Sequence, residues 1–157
     1  MKITAKLSAE SLRKAAAEVR AYKTHVENLA QNLVAKLAAQ GAQIALVEAE
    51  GIRDTGKLLS SITSEFGGNY GYVKCKCGYA IFVEFGTGVV GSGKPHPDIS
   101  IAGWKYDVNG HGKLGWWYPG EDGTLYWTQG MPSRPFMYNT AQQLKTLVVP
   151  TARGLLP

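Results

Sequence analysis

Residues 9–47, AESLRKAAAEVRAYKTHVENLAQNLVAKLAAQGAQIALV, decide the fold. Leu12, Val19, Val26 and Leu33 recur every seven residues, and Ala15, Tyr22 and Leu29 each follow three positions later. That spacing draws one apolar stripe along a helix. Ser8 stands where an N-cap belongs, and Glu10 follows in the first turn. The spacing therefore predicts a helix from about residue 9 to about residue 47. At 1.5 Å per residue it approaches ~60 Å, longer than the body of a small domain. Such a helix must overhang, bend, or break near Gly41.

Outward from this stretch the chain changes character. The first 40 residues contain neither Gly nor Pro, whereas residues 86–130 hold eleven of the nineteen glycines and all four tryptophans. Asp54-Thr55-Gly56 punctuates the chain. Lys57 to Ile62 then reads as a short helix that turns Leu58, Leu59 and Ile62 inward, with Gly67-Gly68-Asn69 ending the segment. Tyr70, Tyr72 and Val73 lead into the alternating Lys74-Cys75-Lys76-Cys77. This stretch and Tyr79 to Phe85 read as two antiparallel strands joined by a tight turn at Gly78. Trp104 to Tyr106, Leu114 to Tyr118 and Leu125 to Thr128 are further strand candidates. Residues 135–149 predict a terminal helix, with Pro135 in its first turn, Pro150 closing it and a loose tail beyond.

The 157 residues and 17.0 kDa fit one domain. Its expected parts are a helix over 9–47, a sheet with an extended loop over 68–130, and a helix over 135–149. The formal charge is +5 and the pI about 9.2. Up to Asp54 there are eight Lys/Arg against six Asp/Glu, and beyond it nine against six, so the excess is +2 and then +3. Spread charge of this kind reads as weak non-specific attraction to DNA rather than a dedicated basic block. Leu29 to Val47 is interrupted by Gln31, Asn32, Lys36, Gln40 and Gln43, short of the unbroken apolar run a membrane span requires. Met1 to Lys6 lacks the apolar core of a signal peptide, and two cysteines make no disulfide framework, so the expectation is assembly in a reducing cytoplasm.

Candidate chemistry is sparse. Cys75, Cys77, His96 and His111 are soft ligands, but Cys-x-Cys and histidines fifteen apart do not have zinc-site spacing. The thiols read as small apolar residues on a buried strand face. Glu84, Asp98, Asp107, Glu121 and Asp122 stand in no hydrolytic motif, and His96 lies between Pro95 and Pro97 in what reads as a stiff extended loop. Gly86-Thr87-Gly88 lacks the Lys-Ser/Thr of a phosphate loop and the helix that should follow. A strand leading into a loop accounts for it. No catalytic, metal-binding or cofactor residue is expected. Trp116, Trp117, Tyr118, Tyr126 and Trp127 could stack on bases or sugars. With few cations among them, they read instead as a self-association surface or a partly buried hairpin.

Three segments carry a resemblance: Asp54-Thr55-Gly56-Lys57-Leu58-Leu59-Ser60-Ser61-Ile62, then Gly78-Tyr79-Ala80-Ile81-Phe82-Val83-Glu84-Phe85-Gly86-Thr87-Gly88, and Pro132-Ser133-Arg134-Pro135-Phe136-Met137. In content, order and separation they resemble the minor tail component or neck family of long-tailed phages, which joins the DNA-filled head to the tail. The resemblance covers roughly residues 10–147. It implies an α+β protein whose long N-terminal helix packs on a twisted antiparallel sheet, with a short helix and a C-terminal helix. It implies a non-enzymatic ring homo-oligomer in the virion neck, assembled in the host cytoplasm. The implied neighbours are connector, head-completion, tail-terminator or tail-tube proteins, with non-specific contact to DNA passing through the ring. The alternative is a nucleic-acid-binding module using the basic, aromatic-rich surface.

Beside that resemblance, Phe82, Phe85 and Phe136 are expected to anchor sheet to helix. Glu84, a carboxylate in an apolar strand, is expected to pair with Arg134 or Arg53, because an unpaired buried charge is costly. Gly86, Thr87 and Gly88, with Trp116, Trp117, Trp127 and Pro135, complete the expected structural and interface residues. The segment from Val89 to Met131 is expected to reach a neighbouring subunit or an adjoining ring.

Overall fold

A computed structural model describes residues 3, 8–52, 56–98, 100, 103–120 and 122–156. The fold is α+β. Helix α1 spans Ala9–Glu50, and its N-cap is Ser8, whose Oγ accepts the Ser11 N–H at 3.2 Å. The helix passes through Gly41 without a break. A Cβ there would stand 2.7 Å from both Leu144 Cδ1 and Val73 Cγ2, so the missing side chain lets two elements close on α1 at one level.

Only the second half of α1 is packed. Ala38, Gly41, Ala45 and Ala49 are buried, whereas residues 9–28 are exposed apart from half-buried Ser11 and Ala15. The helix overhangs, and its small buried residues admit a hairpin on one side and the terminal helix on the other.

Helix α2 (Lys57–Ser60) buries Leu58 and leads into strand β1 (Ile62–Gly67), which pairs antiparallel with β2 (Tyr70–Cys75) around the turn at Gly68 and Asn69. The hairpin therefore forms one element earlier than the sequence pattern suggests, and Gly67-Gly68-Asn69 is its turn. The thiols part company: Cys75 is half-buried at the end of β2, and Cys77 is buried just beyond the strand.

Residues 79–85 are not a strand. Helix α3 spans Ala80–Phe85, with the Val83 N–H donating to the Tyr79 carbonyl at 3.2 Å, and it buries Ala80, Val83 and Glu84. Alternation would have buried every second residue. The observed set has the i, i+3, i+4 spacing of a helix and leaves Ile81 and Phe82 outward. Gly86, at φ 79°, ends the turn by donating its N–H to the Phe82 carbonyl at 2.8 Å.

A short helix does follow Gly86-Thr87-Gly88: α4 spans Gly88–Gly93. Trp104 to Tyr106 forms no strand. After a 3-10 turn at Gly112–Leu114 come β3 (Trp116–Pro119) and β4 (Leu125–Thr128), an antiparallel hairpin separate from the first, and then β5 (Gly130–Met131). Helix α5 spans Phe136–Arg153 and runs antiparallel to α1, with Asn139 and Gln143 donating to Glu48 at 2.8 and 2.6 Å. It continues through Pro150 rather than stopping there. The carbonyl that loses a partner belongs to exposed Thr146, so the break in the ladder faces water. The core is Ala45, Ala49, Leu58, Ile62, Cys77, Ala80, Val83 and Phe136.

Candidate interface site

Glu84 ends α3 beneath the first turn of α5. Its Oε2 accepts the Met137 N–H at 2.9 Å, and its Oε1 accepts the Tyr138 N–H at 2.8 Å. Both donors are among the first N–H groups of a helix, which have no partner within it. The carboxylate thus supplies acceptors and a negative charge at the positive end of the α5 dipole. His96 Nδ1 accepts the Asp98 N–H at 3.1 Å, so the ring proton sits on Nε2, which faces Glu84 Oε1 at 3.3 Å. Phe85 and Tyr138 flank the imidazole at 4.8 and 5.1 Å between ring centroids.

The expected pairing with Arg134 is therefore not made. Arg134 is exposed, with Nη1 3.4 Å from the Gly51 carbonyl, and Arg53 lies outside the described residues. Among the described residues, a helix terminus and a histidine take the place expected of Arg134 at Glu84. All of these hydrogen-bonding positions are committed to the fold, so the His96–Glu84 pair serves as a joint between α3, the Pro95–Pro97 loop and α5. The joint is reinforced by Ser133 Oγ, which donates to the Glu84 carbonyl at 2.6 Å, and by the Arg134 N–H, which donates to the Val83 carbonyl at 2.9 Å. Asp98, beside it, has its carboxyl held below the usual range by hydrogen bonds from the Ser100 hydroxyl and N–H.

Of the three expected phenylalanine anchors, Phe136 is 2 % exposed in the core, and Phe85 packs on His96 and on Trp104. Phe82 is 44 % exposed and instead faces Trp104 at 5.9 Å, because the helical turn of α3 swings it off the core. Pro135 precedes α5 at φ −80°, at the N-cap position.

Gly86, Thr87 and Gly88 form one half of a backbone clasp. Thr87 pairs with Met131 and Gly88 with Gly130, and Thr87 Oγ1 accepts the Met131 N–H at 3.2 Å. A Cβ on Gly88 (φ 62°) would fall on the Gln129 carbonyl, and one on Gly130 (φ 101°) on the Thr87 carbonyl. The approach is closer than any side chain permits. The clasp closes the segment 89–129 at its base, and Trp104 Nε1 ties it to the Gly86 carbonyl at 3.0 Å. Gly130 and His96 are the structural residues that the sequence patterns did not single out for these roles; the prolines flanking His96 were the available signal.

Two apolar surfaces remain outside the core. On the β3–β4 hairpin, Trp117 and Trp127 sit opposite each other, edge to face at 5.5 Å, and are 61 % and 50 % exposed. Trp116 turns away and stacks on His111 at 5.1 Å. The second surface is the overhanging α1 stripe, where exposure runs from 44 % at Val26 to 54 % at Val19. The same helix is covered by α5 from Glu48 back to about Leu33; from there to Tyr22 the stripe shares a groove with Ala152, Leu155 and Leu156, and it continues beyond them to Leu12. Among the described residues no group of three or more His, Cys, Asp or Glu could hold a metal ion, and no helix is long and apolar enough to cross a membrane.

No family model, curated protein or solved structure matches the chain.

Proposed function

We propose that this chain is a structural assembly protein of the head-tail junction in a long-tailed phage. In this reading copies close into a ring, the ring joins head to tail, and the chain's work is contact rather than chemistry. The three segments quoted above support the family resemblance. The single observation that carries the assembly reading is the overhanging half of α1, an ordered apolar stripe with most of its length uncovered. In proteins most of the stability of a helix comes from packing of its apolar face rather than from propensity. The exposed tryptophan pair on the β3–β4 hairpin adds a second surface of interface-like composition. Together they supply two separate patches through which one copy can meet its neighbours in an assembly.

The test is light-scattering mass of the purified chain, alone and mixed with connector or tail-tube proteins. A closed oligomer, alone or formed on such a template, is expected. A monomer that joins neither would overturn the reading. Duplex-DNA affinity measured against salt separates the alternative: a steep log-log slope reporting several phosphate contacts would favour the nucleic-acid module.

A further inference from the structure

We infer that the overhanging half of α1 pairs with the same segment of a second copy as a parallel, in-register coiled coil. This rests on the assembly reading above and specifies its partner. The stripe from Leu12 to Leu33 alternates steps of three and four residues without interruption, the heptad repeat in which Leu12, Val19, Val26 and Leu33 take one core position and Ala15, Tyr22 and Leu29 the other. Its inner positions Tyr22, Val26, Leu29 and Leu33 share an open groove with Ala152, Leu155 and Leu156 of the same chain, and its outer positions Leu12, Ala15 and Val19 lie beyond that groove.

The charges beside the seam choose both occupant and direction. In a parallel pair, Glu18 faces Lys23 of the second copy, and the two-fold axis repeats the attraction. In the antiparallel arrangement centred on the same stripe, Glu18 meets His25 and Lys23 meets Ala16, and both attractions are lost. Within one chain Lys23 Nζ lies 3.8 Å from Glu27 Oε1, an exposed contact that a partner carboxylate can displace.

The test uses the full chain with Glu18→Lys, Lys23→Glu, the double exchange, and separately Ala15→Cys. All three sites lie on the overhang, and circular dichroism checks that folding is kept. Sedimentation equilibrium is expected to give self-association that each single exchange weakens about tenfold and the double exchange restores to within roughly twofold of the parent. Under mild oxidation Ala15→Cys is expected to form a disulfide-linked dimer, which the parent, with Cys75 half-buried beside Ser61 and Cys77 buried, does not. Exchanges without effect, or a cross-link that appears only when Ala15→Cys is mixed with Val26→Cys, would overturn the parallel pairing. If a ring forms with connector or tail-tube proteins regardless of the exchanges, the pairing falls and the assembly reading stands. If exchange-sensitive dimers form but never join those proteins, the pairing stands and the assembly reading falls.

Discussion

Glu84 Oε1 accepts the backbone N–H of Tyr138 at 2.8 Å across 54 residues of chain, so the last turn of α3 caps the first turn of α5. A side chain from a distant helix does what an N-cap residue ordinarily does from the adjacent position. Pro135, which occupies that position here, makes no such hydrogen bond.

Glu84→Gln keeps the shape but places an amide NH2 against one of the donors that the carboxylate now accepts, and it removes the charge. The expected cost is about 1–3 kcal/mol. It should be read as a lowered denaturant midpoint with an unchanged slope. A midpoint equal to the parent's would show the joint to be dispensable.

Gly130→Ala and Gly88→Ala each drive a methyl into backbone at a positive φ, where neither neighbour can rotate away. Each should cost about 2–4 kcal/mol or release the clasp outright. Amide exchange is the readout: protection at Met131 and Gly88 should be lost first, while α1 and α5 keep theirs.

Gly41→Ala sets two effects against each other. The helix gains about 1 kcal/mol of propensity, but the new methyl overpacks against Leu144 and Val73 by about 1–3 kcal/mol. Net destabilisation is expected, and combining it with Leu144→Ala should recover more than either change alone allows. A strictly additive double mutant would count against a shared contact.

Glu65 accepts hydrogen bonds from Lys74 and from the Tyr72 hydroxyl, which hold its carboxyl below the usual value of 4.5; the same contacts raise Lys74. A depressed carboxylate stabilises the fold above its unfolded value and loses that contribution as pH falls through the lower folded one. Acidification below about pH 4.5 should therefore loosen the β1–β2 hairpin. Lys74→Ala should return the Glu65 titration, followed by NMR, toward its ordinary value.

The two long helices were legible because their apolar residues repeat over several turns. The α3 segment was not, since Tyr-Ala-Ile-Phe-Val-Glu-Phe is rich in strand formers and too short to display a period. Its helical signature is the spacing of Ala80, Val83 and Glu84, visible only once Glu84 is known to point inward. That inward direction depends on N–H groups of Met137 and Tyr138, which no side-chain pattern encodes. The clasp was half legible: Gly86 and Gly88 stood out, but their partner Gly130 lies beyond a long connection, and only the folded backbone brings the two strands of the clasp together. The exposure of Phe82 has the same origin, because a strand would have turned it inward and the helical turn does not.

The overhang of α1 also has a mechanical consequence. The 20 residues from Ala9 to Asn28 carry the helix roughly 30 Å from the packed half. Such a rod acts as a lever: a tilt of about ten degrees at its root displaces the tip by about 5 Å, close to one helical turn. Any particle built on these rods would convert a slight rocking of the globular head into a large excursion at the far end.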